Sequence, residues 1–256
     1  MASDRFDLRG RSALVTGGSR GLGRAMAQAL AQAGAEIVLS SRHAEELRAA
    51  AEAIAQASGV RVEWVAADLN RREDIGRLAG EALRRLGKID ILVNNAGTNK
   101  PQAVEEIQDD VWDSIVQLNL TSCMALVRAL VPGMKARRWG RIIHISSVMA
   151  FGSKEWRGAY SATKSALVGL ARAAALELGP FGITVNCIAP GFFATELPLQ
   201  LLSAEDKSKV AERTALGRWG QPDELAGPVL LLASEAGSYI TGSVLVVDGG
   251  LLCRVL

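Results

Sequence analysis

A chain of 256 residues that is 49% hydrophobic can bury a sizeable core, and its length fits one large α/β domain better than two small ones. Its 29 basic and 27 acidic residues leave a formal net charge of only +2, and the arginine pairs at 71/72, 84/85 and 137/138 are scattered, so neither a nucleic-acid nor a membrane partner is expected. Cys123, Cys187 and Cys253 have neither the even count nor the close spacing of a disulfide framework or metal knuckle, and only His43 and His144 offer imidazoles, so the expectation is a reduced chain with no metal.

Asp4, Arg5 and Asp7 stand where a signal peptide would need an apolar core, and no run of about 18 consecutive apolar residues follows, so a cytoplasmic location is expected. Short runs rich in Val and Ile then recur: SALVTG near 12, EIVLSS near 36, RVEWVAAD near 61, DILVNNAG near 90, RIIHISS near 141, ITVNCIAPG near 183 and SVLVVDGG near 243. Helical segments separate them; in the first, Leu22, Met26, Ala29, Leu30 and Ala33 fall on one face before Gly34 supplies a stop. Continuously apolar strands alternating with helices predict a Rossmann-like, doubly wound parallel sheet of seven strands in a single α/β domain, covered by helices on both faces. Residues 191–221 interrupt the alternation and are expected to form a substrate lid. His144, in the middle of an apolar strand, is expected to pack in the core.

The first strand runs into TGGSRGLGRAMAQAL, where Gly17, Ser19, Arg20, Gly21, Leu22 and Gly23 form a tight turn opening a helix. Such glycines let the backbone approach a diphosphate, and the helix N-terminus presents free N–H groups to it, so this is the expected dinucleotide site. An NAD site would need an Asp or Glu about 20 residues onward, at the end of the second strand. That end reads VLSSRH, with Ser41 and Arg42 in place of an acid; the only nearby carboxylate is Glu36, at the solvent-facing start of the strand. A guanidinium in place of a carboxylate favours a 2'-phosphate, with Arg20 closing its other side, so NADP(H) is expected rather than NAD(H).

Further along, AYSATKSAL puts Tyr160 and Lys164 four residues apart, on one face of a helix. A free phenol, with a pKa of about 10, is a poor base near neutral pH, and a neighbouring ammonium favours its ionised form. The Thr-Gly-x-x-x-Gly-x-Gly turn, NNAG at 94–97 and Tyr-x-x-x-Lys at 160–164, in that order, resemble the short-chain dehydrogenase/reductase family from about Leu8 to Gly250.

That resemblance implies a role for each matching residue. Asp68 and Leu69 follow the third strand and would meet the adenine; Asn95, Ala96 and Gly97 would run beside the adenosine ribose. Asn119, Ser147, Tyr160 and Lys164 match the family's catalytic tetrad, with Tyr160 and Lys164 also touching the cofactor. Ser147 is preferred to Ser146 because it lies thirteen residues before Tyr160, the family's interval. In PGFFAT, Pro190, Gly191, Phe193 and Thr195 match the segment along the nicotinamide end. Hydride transfer to a carbonyl leaves an alkoxide needing a proton, which the activated phenol would supply.

PGFFATEL followed by RTALGRWGQPDELAGPVLLLAS resembles the gluconate 5-dehydrogenase and 2-deoxygluconate 3-dehydrogenase branch, which implies a keto-sugar acid as the small-molecule carbonyl or alcohol substrate. Lys100, Lys154 or Arg157 would then meet its carboxylate. A 3-oxoacyl carrier-protein reductase or general ketone reductase is the alternative enzyme, and an NADP-binding sensor or scaffold the alternative without turnover. The family's habit implies a homotetramer, with the apolar ending LLCRVL packed on a neighbouring subunit.

Overall fold

The computed structural model describes residues 3–195 and 203–253. Strands β1 (Ser12–Thr16), β2 (Glu36–Ser41), β3 (Val62–Ala66), β4 (Ile91–Asn94), β5 (Gly140–Ile145), β6 (Ile183–Pro190) and β7 (Val244–Val247) form one parallel sheet in the order β3-β2-β1-β4-β5-β6-β7. All seven lie where the apolar runs predict. β1, β4, β5 and β6 are buried along their whole length, which is why they read as continuous rather than alternating apolar segments.

Successive side chains leave opposite faces of the sheet, so each strand feeds two cores. Ala13 and Val15 of β1 join the core that contains Met26 and Leu30 of α1 (Gly21–Gln32), Leu47 of α2 (Ala44–Ser58) and Val229 of α8 (Ala226–Ala233). Leu14 joins the other, with Leu78 of α3 (Arg72–Leu86), Leu126 of α5 (Ser122–Arg137) and Val168 of α6 (Gly158–Leu178). The stripe predicted for α1 is the buried one at Met26, Ala29 and Leu30, and Gly34 ends it at φ +101°.

α4 (Asp109–Val116) continues into α5 through a π-helical turn at Gln117–Thr121. An 18-residue window of the continuous helix is apolar enough in composition to cross a membrane, although 33% of it is buried within the chain. Polar groups tie the same helix to the domain: Gln117 Nε2 donates to the Leu69 carbonyl at 3.1 Å, and Asn119 is fully buried.

In the expected lid, Phe193 bridges to Gly220, and α7 (Ala204–Arg213) follows. Trp219, whose Nε1 donates to the Lys207 carbonyl at 2.9 Å, packs on Phe192 with centroids 5.7 Å apart. The middle of that segment, 196–202, and the end of the LLCRVL tail, 254–256, lie outside the described residues.

Candidate active site

The strand order reverses direction between β1 and β4, and a crevice opens beyond the C-terminal ends of those strands. Asn95 clasps its two sides. Its Nδ2 donates to the carbonyls of Thr16 at 2.9 Å and Gly17 at 3.2 Å, while Thr16 Oγ1 accepts from the N–H groups of Asn95 and Ala96, both at 3.0 Å. Gly17 and Gly21 have φ of +64° and +55°, which side chains rarely adopt. A Cβ on Gly23 would collide with the Gly17 carbonyl and the Asn95 amide, so the turn closes this tightly only with glycine.

A cavity of about 490 Å³ opens beside this turn. Of the residues expected at a cofactor, Gly17, Ser19, Arg20, Gly21, Leu22, Gly23, Ser41, Arg42, Asp68, Leu69, Asn95, Ala96, Gly97 and Thr195 line it; Tyr160, Lys164, Pro190, Gly191 and Phe193 do not. Gly191 instead continues the sheet edge, its N–H donating to the Val247 carbonyl at 2.9 Å. The Phe193 side chain is 6% exposed and its ring fills the space where a Gly220 Cβ would be, so the ring packs in the core and leaves only the backbone of this residue to face a cofactor.

The cavity also takes in Ser40, His43, Glu46, Ala67, Thr98 and Leu118, which the motifs do not mark. Two of these matter for charge. Ser40 is 1% exposed and its Oγ has no partner among the described residues. Glu46 brings a carboxylate to the cavity wall, accepting from Ser19 Oγ at 3.2 Å, so Glu36 is not the only acid near the second strand's end. Arg20 and Arg42 make no ion pair among the described residues. Free guanidinium groups, a glycine cradle and an unpartnered hydroxyl fit the phosphates of a dinucleotide.

Asn119 and Lys164 lie just beyond Gly97, with Tyr160 beside Lys164, and Ser147 follows the end of β5, whose Ile145 carbonyl Lys164 binds. Ser146 and Ser147 follow β5 with opposite fates. Ser146 Oγ donates to the Lys164 carbonyl at 2.8 Å and is thereby occupied; Ser147 Oγ accepts from the Met149 N–H at 3.1 Å, which leaves its own proton free to donate. Tyr160 lies in the first turn of α6 and Lys164 one turn on, its Nζ 5.5 Å from the Tyr160 ring centroid. Lys164 is 4% exposed and donates from Nζ to the Ile145 carbonyl at 2.7 Å.

Asn119 occupies the π turn, a type of irregularity frequent at functional sites. Its Nδ2 donates to the Thr98 carbonyl at 2.9 Å and to Thr163 Oγ1 at 3.2 Å, and its Oδ1 accepts from the Thr98 N–H at 2.9 Å. A Cβ on Gly97 would stand 3.2 Å from Asn119 Oδ1 and 3.4 Å from Lys164 Nζ. The cavity wall and the Tyr160–Lys164 pair are therefore separated only by a residue with no side chain.

His144 is fully buried in β5, its Nδ1 3.1 Å from Asn94 Nδ2. Burial first, and the Lys164 charge second, push its pKa down to about 4, so it is a neutral core residue accepting from Asn94. Burial likewise raises the Cys123 thiol to about 11 and the Cys187 thiol to about 12, which removes both as nucleophiles near neutral pH.

Comparison with known proteins extends this geometry to the whole chain. A family model described as enoyl-(acyl carrier protein) reductase matches residues 17–252. The chain is 40% identical over 244 residues to the 3-oxoacyl-[acyl-carrier-protein] reductase FabG of Aquifex aeolicus, covering 95% of this chain and 98% of that one. It is 37% identical over 249 residues to the gluconate 5-dehydrogenase of Gluconobacter oxydans, covering 97% of each. A gluconate 5-dehydrogenase from Burkholderia cenocepacia, crystallised in complex with NADP and tartrate, superposes with a TM-score of 0.93 at 37% identity over 100% of both chains. Likeness of this extent, in sequence as well as fold, makes the chain an oxidoreductase of the short-chain dehydrogenase/reductase family.

Proposed function

We propose that this oxidoreductase exchanges a hydride between NADP(H) and a secondary alcohol or ketone, and that its substrate is a keto-sugar acid. The observation that carries the reaction is the nearness of Gly97, on the nucleotide cavity, to Lys164, one helical turn from Tyr160. The nicotinamide supplies the hydride acceptor or donor when bound. Lys164 Nζ would donate to the ribose beside it. Tyr160 would give or take the proton at the substrate oxygen, and Ser147, held by the Met149 N–H, would donate to that same oxygen as charge develops. NADP rather than NAD is supported by Arg20, Ser41 and Arg42 in place of an acid, and by the NADP found in the Burkholderia relative.

The keto-acid reading rests on Arg157. Of the three cations expected at a carboxylate, Lys100 has Ser114 Oγ at 3.4 Å and Lys154 is exposed, whereas the half-buried Arg157, three residues before Tyr160, has a buried Nη1 with no partner. Gln102 Oε1 is likewise buried without a partner, and the Gln102 N–H donates at 3.2 Å to the carbonyl of Trp156, which is held at φ +63°. A strained backbone at Trp156 and an unsatisfied guanidinium at Arg157, shortly before Tyr160 in the chain, support recognition of a carboxylate. The tartrate of the Burkholderia relative, a hydroxy dicarboxylate, is of the same chemical kind. A 3-oxoacyl carrier-protein reductase is the second reading, favoured by the Aquifex relative.

The segment 191–221 acts as lid in this reading, in a cytoplasmic homotetramer. Trp112 and Met124, on the α4–α5 helix, are 41% and 36% exposed in the single chain, and Tyr239 and Leu252 near the sheet's far edge are 101% and 41% exposed. These faces suit subunit contacts, and a monomer by light scattering at micromolar concentration would exclude them.

The reaction and substrate are tested by following NADPH and NADP absorbance with 5-ketogluconate, gluconate, acetoacetyl thioesters and simple ketones. Turnover should be highest on the keto acid. Arg157→Leu should raise its KM about tenfold or more while sparing neutral ketones. Tyr160→Phe should keep cofactor affinity and lose most turnover; unchanged turnover would leave a binding protein without this catalytic centre. A higher kcat/KM with NADH would exclude the NADP assignment.

A further inference from the structure

The first turn of α2 carries two adjacent glutamates with different surroundings. Glu45 is held by Arg48 at 3.0 Å on the outer surface. Glu46 lines the cavity together with Arg20, Ser41 and Arg42, and accepts from Ser19 Oγ, next to Arg20 in the chain, at 3.2 Å. Among the described residues no cation pairs with Glu46, although two arginines line the same cavity.

We infer that Glu46 sets cofactor choice against the arginines: its charge weakens the 2'-phosphate site and keeps NAD(H) usable as a second cofactor. The inference rests on the proposal that Arg20, Ser41 and Arg42 receive that phosphate. A 2'-phosphate carries nearly two negative charges near neutral pH, so a carboxylate in the same cavity repels it, while the unphosphorylated ribose of NAD(H) feels little. The Ser19 hydroxyl has a single proton, and while it donates to Glu46 it cannot donate to a phosphate. The diphosphate is common to both cofactors, so the difference between them lies at the 2'-phosphate.

Glu46→Gln tests this, because the amide oxygen can still accept from Ser19 while the charge is removed. Glu46 is exposed, so the change should leave folding intact, and Glu45→Gln serves as a control on the same turn. Equilibrium binding of NADPH and NADH, followed by nicotinamide fluorescence, and of 2',5'-ADP and 5'-AMP by calorimetry, reads the effect without turnover. Glu46→Gln should lower the Kd for NADPH and 2',5'-ADP by about five- to tenfold. NADH and 5'-AMP should stay within about twofold, and the gain should shrink in 0.5 M salt, where exposed charges are screened.

A Kd for NADPH within twofold of the unsubstituted enzyme would overturn the inference. So would weakened NADH binding with no gain for NADPH, since Glu46 would then be a ribose acceptor, and so would an equal gain in Glu45→Gln. If the unsubstituted enzyme binds 2',5'-ADP no better than 5'-AMP, the NADP assignment itself fails. If it prefers 2',5'-ADP and Glu46→Gln changes nothing, only the role of Glu46 fails.

Discussion

The side-chain amide of Asn119 pairs with the backbone of Thr98 in both directions, Oδ1 accepting its N–H and Nδ2 donating to its carbonyl, each at 2.9 Å. A third bond, to Thr163 Oγ1 at 3.2 Å, continues to the Tyr160 carbonyl, to which Thr163 donates at 2.8 Å. One buried amide thus fixes the loop beyond β4 to the turn that carries the phenol. Asn119→Leu keeps the volume but leaves the Thr98 groups unpaired, so unfolding in urea should show a loss of about 2–3 kcal/mol, with kcat reduced at least about tenfold. Asn119→Asp retains the acceptor alone and should fall between the two.

Gly97 lies beside both Asn119 and Lys164, where a Cβ would press on each. Its φ is not in the left-handed region, so alanine would cause no backbone strain there, only contacts at 3.2 and 3.4 Å that press on the Asn119 oxygen and Lys164 Nζ. Gly97→Ala should therefore harm activity more than stability. Turnover should drop about tenfold or more through misplacement of the lysine, while Tm moves by only a few degrees. A Tm loss without a change in kcat would show that Nζ position is not critical.

The positions of the seven strands and the Tyr160–Lys164 pair were legible because both rest on local spacing: buried strands are unbroken apolar runs, and four residues close one helical turn. Ser147 could be chosen over Ser146 only by its interval, while the structure adds a physical reason, since Ser146 is tied to the Lys164 carbonyl. The π turn at Asn119 has no such mark, because one additional residue per turn changes hydrogen-bond register rather than composition. Phe192 and Phe193 are adjacent and identical, and only the Gly220 bridge decides which ring enters the core. Glu46 reaches the cavity from 27 residues beyond Ser19, a contact made by the packing of α2 and not by any motif.

His144 makes stability depend on acid in a defined window. Its pKa is about 4 in the folded chain and about 6.5 when unfolded, so below pH 6.5 the unfolded state binds the proton first. Folding stability from this group is complete above about pH 6.5 and falls as pH drops to about 4, a total near 3 kcal/mol to order of magnitude. Urea unfolding at pH 7, 5.5 and 4.5 should show the parent losing stability relative to His144→Gln, whose side chain does not titrate. A difference independent of pH would mean that His144 takes up its proton equally in the folded and the unfolded chain.

α3 offers a gain that should leave the site untouched. Its Ile75, Leu78, Ala79 and Ala82 face the core, while Gly76 and Gly80 lie on the exposed side, with nothing within 4 Å of a Cβ at either. Neither has a positive φ, so each already adopts a backbone that alanine takes without strain. Alanine reduces the freedom of the unfolded chain, and each substitution should add about 0.5–1 kcal/mol. For a chain of this size the double variant should gain roughly 3–6 °C in Tm, with kcat/KM unchanged because the core face that supports Asp68 and Leu69 is not altered. A fall in Tm would show instead that this face of α3 is covered by another subunit, where two methyl groups do not fit.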